Sequence, residues 1–352
     1  MPTHRNAESC VLSFCIPTYN RSATVVAQVR RVLQCPSSDI EVVVLDNGST
    51  DDTLSRLGEV QDPRLSVHSN GTNRGVIFNI LNVVLKGRGR YSALLLDKDS
   101  VDPALIESFL SFLQKEQPAC GFSEYHAPMD RAPEIVAAGV PALLRVGYAG
   151  HHPTGYFFRS DLLHELRITE RFSDYEFVGH FPFDFVLAEC SLKGPAAVYH
   201  PPLFAPESMA SAAATKSFGT NAAKEDAFFS PKGRLKMAIN FTRHIQSLPV
   251  PADVKRRLAL DRFAQGLFAA TLGYRQLLRN EAICTHYHIG TRQVGIRELL
   301  RTGVDFYRAF FRAYPGGRIG EDVRLKHASV IADWTRRVLS GLRRRAARRL
   351  AS

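Results

Sequence analysis

The sequence predicts an α/β protein: a mainly parallel sheet with helices on both faces, followed by a mainly helical C-terminal region. Three observations predict it. From residue 11 to about 205, short β-rich runs alternate with amphipathic stretches. Those runs are continuously apolar rather than alternating, the pattern of strands covered on both faces. From Pro231 onward the apolar spacing becomes helical.

Taken in order, the first strand is "VLSFCIP" (11 to 17), then "EVVVLD" (41 to 46), "RLSVHS" (64 to 69) and "YSALLLD" (91 to 97). Helical patterns at about 22 to 35, 51 to 59 and 75 to 86 separate them. "CGFSEYH" (120 to 126), "TGYFFRSDLL" (154 to 163) and "AAVYHPP" (196 to 202) read as strands of a mixed extension of the sheet. Residues 1–205 thus form one domain. Residues 206–230 are rich in small and polar residues, as a flexible linker or active-site lid would be. Residues 231–352 form a helical region, with helices at 233 to 247, 252 to 279, 293 to 313 and 322 to 350.

Composition narrows the class. Of the 352 residues 45% are hydrophobic and 22% charged, an ordinary globular balance. The six cysteines are scattered with no C-x-x-C pair, which argues against a zinc ribbon and a disulfide framework and for reduced thiols. The N-terminus "MPTHRNAESC" lacks the apolar core of a signal peptide. No apolar stretch approaches the roughly 18 to 20 residues that span a bilayer. The expectation is a cytoplasmic protein, peripheral at most on the inner face of the cell membrane. The net charge of +11 is concentrated at the end, where residues 334 to 352 carry seven arginines and no acid.

In parallel sheets ligands gather at the carboxyl ends of the strands. The polar motifs "PTYNR", "DNGSTDD" and "DKDS" all follow such ends. Pro17 ends a strand, and Thr18, Tyr19 and Asn20 offer a ring and polar groups to a planar base. Asp46 stands where a carboxylate can accept from a base N–H. Asn47-Gly48 makes a sharp turn, and Ser49, Thr50 and Asp51 read as a helix N-cap region; alone, this motif is no more than turn and cap chemistry. In "LLLDKDS", alternation along an extended chain would turn Asp97 and Asp99 to one side and Lys98 to the other. Two carboxylates so placed are either turn chemistry at a strand end or a site for a hard, oxygen-ligated cation.

"FCIPTYNRS", "VVVLDNGSTDDT", "NRG" (73 to 75) and "LLLDKDS", in this order and spacing, resemble the GT-A glycosyltransferases of family 2 over about residues 11 to 205. The resemblance implies a Rossmann-like, mostly parallel sheet and a nucleotide diphosphate sugar donor, most simply a UDP-sugar. It implies donor contacts from Pro17, Thr18, Tyr19, Asn20, Arg21, Asp46, Asn73, Gly75, Asp97 and Lys98. It also implies a divalent cation, Mn2+ or Mg2+, with Asp99 as direct ligand and Asp97 on the ribose or the metal. His200, in "VYHPP", stands where some members place a third ligand; otherwise it is a strand-end histidine. The catalytic base of inverting members corresponds to Asp184, which a helix dipole would also stabilise. Here Phe183 replaces the usual glutamate before it, so the motif is incomplete. In "HHPTG" (151 to 155), His152 and a flexible Gly155 could line an acceptor site, against the plainer reading of a lone histidine with no chemistry.

The expected activity is metal-dependent, inverting transfer of a sugar to a hydroxyl of a glycan or lipid-linked acceptor in cell-surface polysaccharide synthesis. A sugar-phosphate nucleotidyltransferase uses a related sheet, but its glycine-rich loop after the first strand is missing, since "IPTYNRS" holds no glycine. A non-enzymatic protein binding nucleic acid through the terminal arginines is the other alternative. No reading module accompanies them, so no specific nucleic-acid partner is expected. The terminal arginines instead suggest an anionic membrane surface. Trp334, Val338, Leu342, Ala346 and Leu350 would form the apolar stripe of an interfacial helix, unless that helix packs on its own domain.

Overall fold

The computed structural model describes residues 10–124, 131–149, 152–206, 227–287, 289–314 and 327–339. They fall into two compact units, Met1–Glu207 and Ser208–Ser352.

The first unit is built on β1 (Leu12–Thr18), β2 (Ile40–Asp46), β3 (Leu65–Ser69) and β4 (Tyr91–Leu94). It continues through β5 (Ser100–Val101), β6 (Cys120–Ser123), β7 (Glu134–Val136), β8 (Tyr156–Arg159), β9 (Ala196–Tyr199) and β10 (Phe204–Ala205). The helices are α1 (Ser22–Leu33), α2 (Thr53–Gly58), α3 (Val76–Val83), α4 (Ile106–Glu116), α5 (Val140–Val146), α6 (Ser160–Glu165), α7 (Ile168–Phe172), α8 (Tyr175–Val178) and α9 (Pro182–Lys193).

Eight strands form one sheet in the order β3-β2-β1-β4-β8-β6-β9-β7, and β5 and β10 make a separate pair. The β3-β2-β1-β4 half is parallel throughout. β8 enters antiparallel between β4 and β6, β9 runs parallel to β6, and β7 closes the edge antiparallel. This is the α/β class with a mixed extension that the apolar runs predict. Every residue of β1 and of β2 is buried, as strands with helices on both faces must be. On one face α1 and α4 pack on the sheet, with Phe109 edge-on to Phe157 at 5.3 Å and to Tyr199 at 4.7 Å.

The expected strands differ from the observed ones at their ends, and β5, β7, β10, α4, α5, α7 and α8 are elements the sequence pattern does not predict. β1 runs on to Thr18, so Pro17 is a buried strand residue rather than its terminator. β4 stops at Leu94, three residues early, because the chain turns at Asp97. The run 154 to 163 divides into strand β8 and helix α6.

In the second unit the helices are Pro231–Ser247, Ala252–Phe268, Tyr274–Leu277, Glu281–His286 and Ile296–Ala313, with a π-helical segment Ala269–Gly273 joining the second to the third. Residues 327–339 are also helical. No helix among the described residues is long and apolar enough to cross a membrane.

One expectation needs correction here. Trp334 is 5% exposed and Val338 fully buried, both in the core with Phe263, Leu299, Phe306 and Phe310. The Trp334 indole N–H donates to Thr271 Oγ1 at 2.9 Å. Gly303 passes so close beneath the ring that a Cβ there would lie 2.2 Å from it. These two side chains therefore pack on their own unit and do not enter a lipid surface: the helix meets an apolar neighbour before it could meet lipid. Arg336 and Arg337 reach back to Asp333, at 3.6 and 2.9 Å. Leu342, Ala346, Leu350 and the remaining arginines lie outside the described residues.

Candidate functional site

The carboxyl ends of β1, β2, β3 and β4 meet at one rim, and hydrogen bonds between loops shape it. Asn20 takes a left-handed backbone (φ 51°). Its N–H donates to Ser49 Oγ at 2.8 Å, and its Oδ1 accepts from the Thr50 N–H at 2.8 Å. The Arg21 N–H reaches Thr53 Oγ1 at 3.3 Å. The loops after β1 and β2 are thereby zipped together, and Tyr19 stands exposed beside them.

Asp46 is fully buried. Its carboxylate accepts from the Gly48 N–H (3.1 Å), the Ser49 N–H (3.0 Å), the Ser69 hydroxyl (3.1 Å) and the Ser49 hydroxyl. It is thus engaged in holding the β2 turn and the end of β3, where the sequence suggested an acceptor open to a base. Gly48, at φ +75°, lets this turn close against the backbone of Thr72, which a Cβ would approach to 2.6 Å.

Asn47 binds the "NRG" loop. Its side-chain amide donates to Asn73 Oδ1 at 2.9 Å, and its Oδ1 accepts from the Arg74 N–H at 3.0 Å. Asn73 Oδ1 also accepts from the Gly75 N–H at 2.9 Å, where Gly75 (φ 87°) starts α3. Asn79 extends the chain of amides, accepting from Asn70 at 2.9 Å and donating to the Leu45 carbonyl at 3.1 Å.

The two carboxylates of "DKDS" lie in a tight turn rather than an extended strand, since the Asp99 N–H closes onto the Leu96 carbonyl at 3.1 Å. The turn still buries both aspartates, 6% and 4% exposed, and leaves Lys98 half-buried between them. Asp97 accepts from Thr18 Oγ1 at 2.9 Å and from the Arg21 guanidinium at 3.1 Å. Burial raises the Asp97 pKa, and the Arg21 charge, the Thr18 hydroxyl and Lys98 oppose that rise. Asp99 accepts from the Thr154 hydroxyl, and His152 Nε2 lies 2.6 Å from its Oδ2. Two buried carboxylates of this kind fit a hard divalent cation that takes its remaining ligands from water and diphosphate.

Asp184 lies in the first turn of α9, where Pro182 occupies the start of the helix as the sequence predicts. It is 2% exposed and accepts from the Tyr156 hydroxyl at 2.9 Å. Phe183 is turned into the core, with its ring stacked on Phe158 at 5.4 Å.

His200 departs from expectation. It is 1% exposed, and its Nδ1 lies 2.7 Å from Glu124 Oε2. Among the described residues no three His, Cys, Asp or Glu side chains converge as a metal cage, so His200 does not join Asp97 and Asp99. Its strand, β9, is separated from β4 by β8 and β6, which at about 4.8 Å per strand is roughly 14 Å across the sheet. Gly155 is not a flexible element either. Its N–H donates to the Leu94 carbonyl at 2.8 Å, and its carbonyl accepts from the Ser123 N–H at 3.0 Å.

The family model described as glycosyl transferase family 2 matches residues 13–137, which hold β1 to β7 and the "PTYNR", "DNGSTDD", "NRG" and "DKDS" loops. Those residues are a family 2 glycosyltransferase domain. A Haemophilus influenzae protein named as an uncharacterized glycosyltransferase is 31% identical over 122 residues, 34% of this chain and 38% of its own. The Escherichia coli UDP-Glc:alpha-D-GlcNAc-diphosphoundecaprenol beta-1,3-glucosyltransferase WfaP is 29% identical over 121 residues, 34% of this chain and 48% of its own. The chain thus spans less than half the length of either relative. Among solved structures, S. aureus TarS 1-349 superposes with a TM-score of 0.46 at 16% identity, covering 88% of this chain and 93% of that one. The mannosyltransferase PcManGT from Pyrobaculum calidifontis, in complex with GDP-Man and Mn2+, gives 0.47 at 15%, covering 92% and 86%.

Thr154, Tyr156 and the amides of Asn47 and Asn79 are the site groups that motif reading missed. Thr154 is 55 residues from Asp99, and Tyr156 is 28 from Asp184. Spacing along the chain carries no signal for either pair.

Proposed function

We propose that the chain is a metal-dependent, inverting glycosyltransferase. It would move a sugar from a nucleotide diphosphate sugar, a UDP-sugar, to a hydroxyl of a glycan or lipid-linked acceptor in cell-surface polysaccharide synthesis. The observation that carries this reading is the pair of buried carboxylates, Asp97 and Asp99, at the end of β4 beside the interlocked loops of the family 2 domain. The named activity of the Escherichia coli relative supports a UDP-sugar and a lipid-linked acceptor.

The catalytic domain is residues 1–205 and the helical region residues 231–352; the lid or linker expected over residues 206–230 lies mostly outside the described residues. Tyr19, at the exposed rim, lies against the base. Thr18, Asn20 and Arg21 set the loop that receives the nucleotide, with Pro17 and Asp46 fixing the strand ends beneath. Asn73 and Gly75 shape the neighbouring loop, and Lys98 offers its charge to the diphosphate. Asp99, assisted by Asp97, would hold Mn2+ or Mg2+, which when bound neutralises the charge growing on the leaving diphosphate. Asp184 takes the proton of the acceptor hydroxyl as its oxygen bonds to the anomeric carbon from the opposite face. The bond from that carbon to the diphosphate oxygen breaks, and its electron pair leaves with the nucleoside diphosphate. The Asp184 proton then passes to solvent.

At the membrane, the proposal narrows to residues 340–352. Their five arginines, Arg343, Arg344, Arg345, Arg348 and Arg349, would hold the enzyme at the anionic inner face, each contributing about 1 kcal/mol near the surface.

The test is a donor-hydrolysis screen across nucleotide sugars with manganese or magnesium, run on the parent and on Asp99→Ala. Metal-dependent release of a nucleoside diphosphate by the parent, lost in the variant, is the expected result. Full activity in Asp99→Ala would remove the cation assignment, and no release from any donor would remove the transferase reading.

A further inference from the structure

Two carboxylates that the proposed reaction uses, Asp99 and Asp184, come from different elements 85 positions apart, the turn after β4 and the first turn of α9. One tripeptide touches both. Thr154 donates its hydroxyl to Asp99, and Tyr156 donates its hydroxyl to Asp184 Oδ1 at 2.9 Å. Both side chains are buried, 1% and 3% exposed.

The backbone between them is clamped at the centre of the sheet. Gly155 gives its N–H to Leu94 at the end of β4 and its carbonyl to Ser123 at the end of β6. The turn that delivers it closes with the Tyr156 N–H onto the Pro153 carbonyl at 3.3 Å, and Gly155 adopts φ +89°, a backbone setting that favours glycine. Thr154 Oγ1 is itself oriented, because it accepts the Leu96 N–H at 2.9 Å and so directs its own proton toward Asp99. Leu96 is the residue whose carbonyl closes the Asp97–Asp99 turn.

We propose that Thr154 and Tyr156 are positioning residues of the reaction, held on one rigid post, with Thr154 aiming the cation-side carboxylate Asp99 and Tyr156 aiming the base Asp184. This rests on the proposed function for the roles of the two aspartates and adds the group that keeps them in register. A hydroxyl bonded to a carboxylate fixes which oxygen faces the substrate and at what angle, so its removal loosens the aim without removing the charge. Outer-shell partners of this kind typically change metal affinity or activity by about 10- to 100-fold.

The two halves separate by assay. Tyr156→Phe is expected to lower kcat for UDP-glucose hydrolysis about 10- to 100-fold while KM for UDP-glucose stays within twofold. Thr154→Val is expected to weaken the binding of UDP with Mn2+, measured by calorimetry without turnover, by a similar factor, and Thr154→Ser is expected to restore it. Parental melting curves establish that each variant folds. Should Tyr156→Phe fail to fold, 4-fluorophenylalanine at position 156 keeps the shape and removes the donor, and an unchanged kcat there overturns the Tyr156 half. Parental kcat in Tyr156→Phe does the same, and parental UDP and Mn2+ binding in Thr154→Val overturns the Thr154 half. Asp184→Asn, run in parallel, distinguishes the readings. Parental turnover in that variant removes the base assignment itself, whereas loss there beside parental turnover in Tyr156→Phe overturns only the positioning role.

Discussion

Trp334 is the single tryptophan of the chain, so its emission reports one environment. Its ring is buried over Gly303 and its N–H is bonded to Thr271 Oγ1. Trp334→Ala removes a side chain of the size that buries about 150–250 Å2, and deletions of buried Trp cost about 3–5 kcal/mol. Thr271 keeps its bond to the Leu267 carbonyl (2.6 Å), so no orphaned hydroxyl adds to that cost. With a urea slope of about 1–3 kcal/mol per molar, the midpoint of the transition carrying the helical unit should fall by about 1–5 M, read by circular dichroism. In the parent, native emission should lie well to the blue of urea-unfolded protein, and vesicles of anionic lipid should leave it unmoved. A cost below about 1 kcal/mol, a native emission already at the unfolded wavelength, or a blue shift on adding vesicles would refute the packing argument and return Trp334 to the lipid surface.

Four further outcomes follow from the same geometry. Gly48→Ala forces a Cβ into the Thr72 backbone at a positive φ, so it should destabilise the first unit by at least the roughly 1–2 kcal/mol of a left-handed non-glycine residue and weaken UDP binding, both measurable by melting and calorimetry. Asp184→Asn should lower turnover about 10²- to 10⁴-fold, the usual range for a general base, with donor affinity nearly unchanged; collapse of donor binding instead would make the residue part of the donor pocket. A chain ending at residue 339 keeps Trp334 and Val338 and should melt as the parent does, yet lose sedimentation with anionic vesicles; equal sedimentation of the two chains would end the membrane proposal. Burial raises the Cys15, Cys120 and Cys190 pKa values, and that of Cys10 to about 11. Because the thiolate is the reactive form, a raised value means less thiolate at pH 8, so native alkylation followed by mass spectrometry should leave these thiols largely unmodified until guanidinium unfolds the chain.

The sequence exposes what is local and hides what is closed by tertiary contact. Apolar runs such as "VVVL" and "YSAL", alternating with helical patterns, indicated strands covered on both faces, and the polar motifs after them pointed to one rim. Pro182 marked the start of α9 because a residue with no N–H and a fixed φ suits the first turn. What covers an apolar stripe is not local: the spacing of Trp334 and Val338 is the same whether lipid or Phe306 lies against it, and only Gly303, 31 residues earlier, admits the ring. The "DKDS" motif shows the same division. Its residue types suited a cation before any fold was known, but the turn that buries the two aspartates depends on partners the motif does not contain. Asp97 is held by Thr18 and Arg21 from the end of β1, and Asp99 by Thr154 from the approach to β8. A buried carboxylate is tolerated only when donors meet it, so each motif aspartate implies a partner elsewhere, and a strand order is needed to say where. β4 lies between β1 and β8, and those two neighbours are the strands whose ends supply the donors. The chemistry of this rim is therefore written in the motifs, and its aim is written in the sheet order.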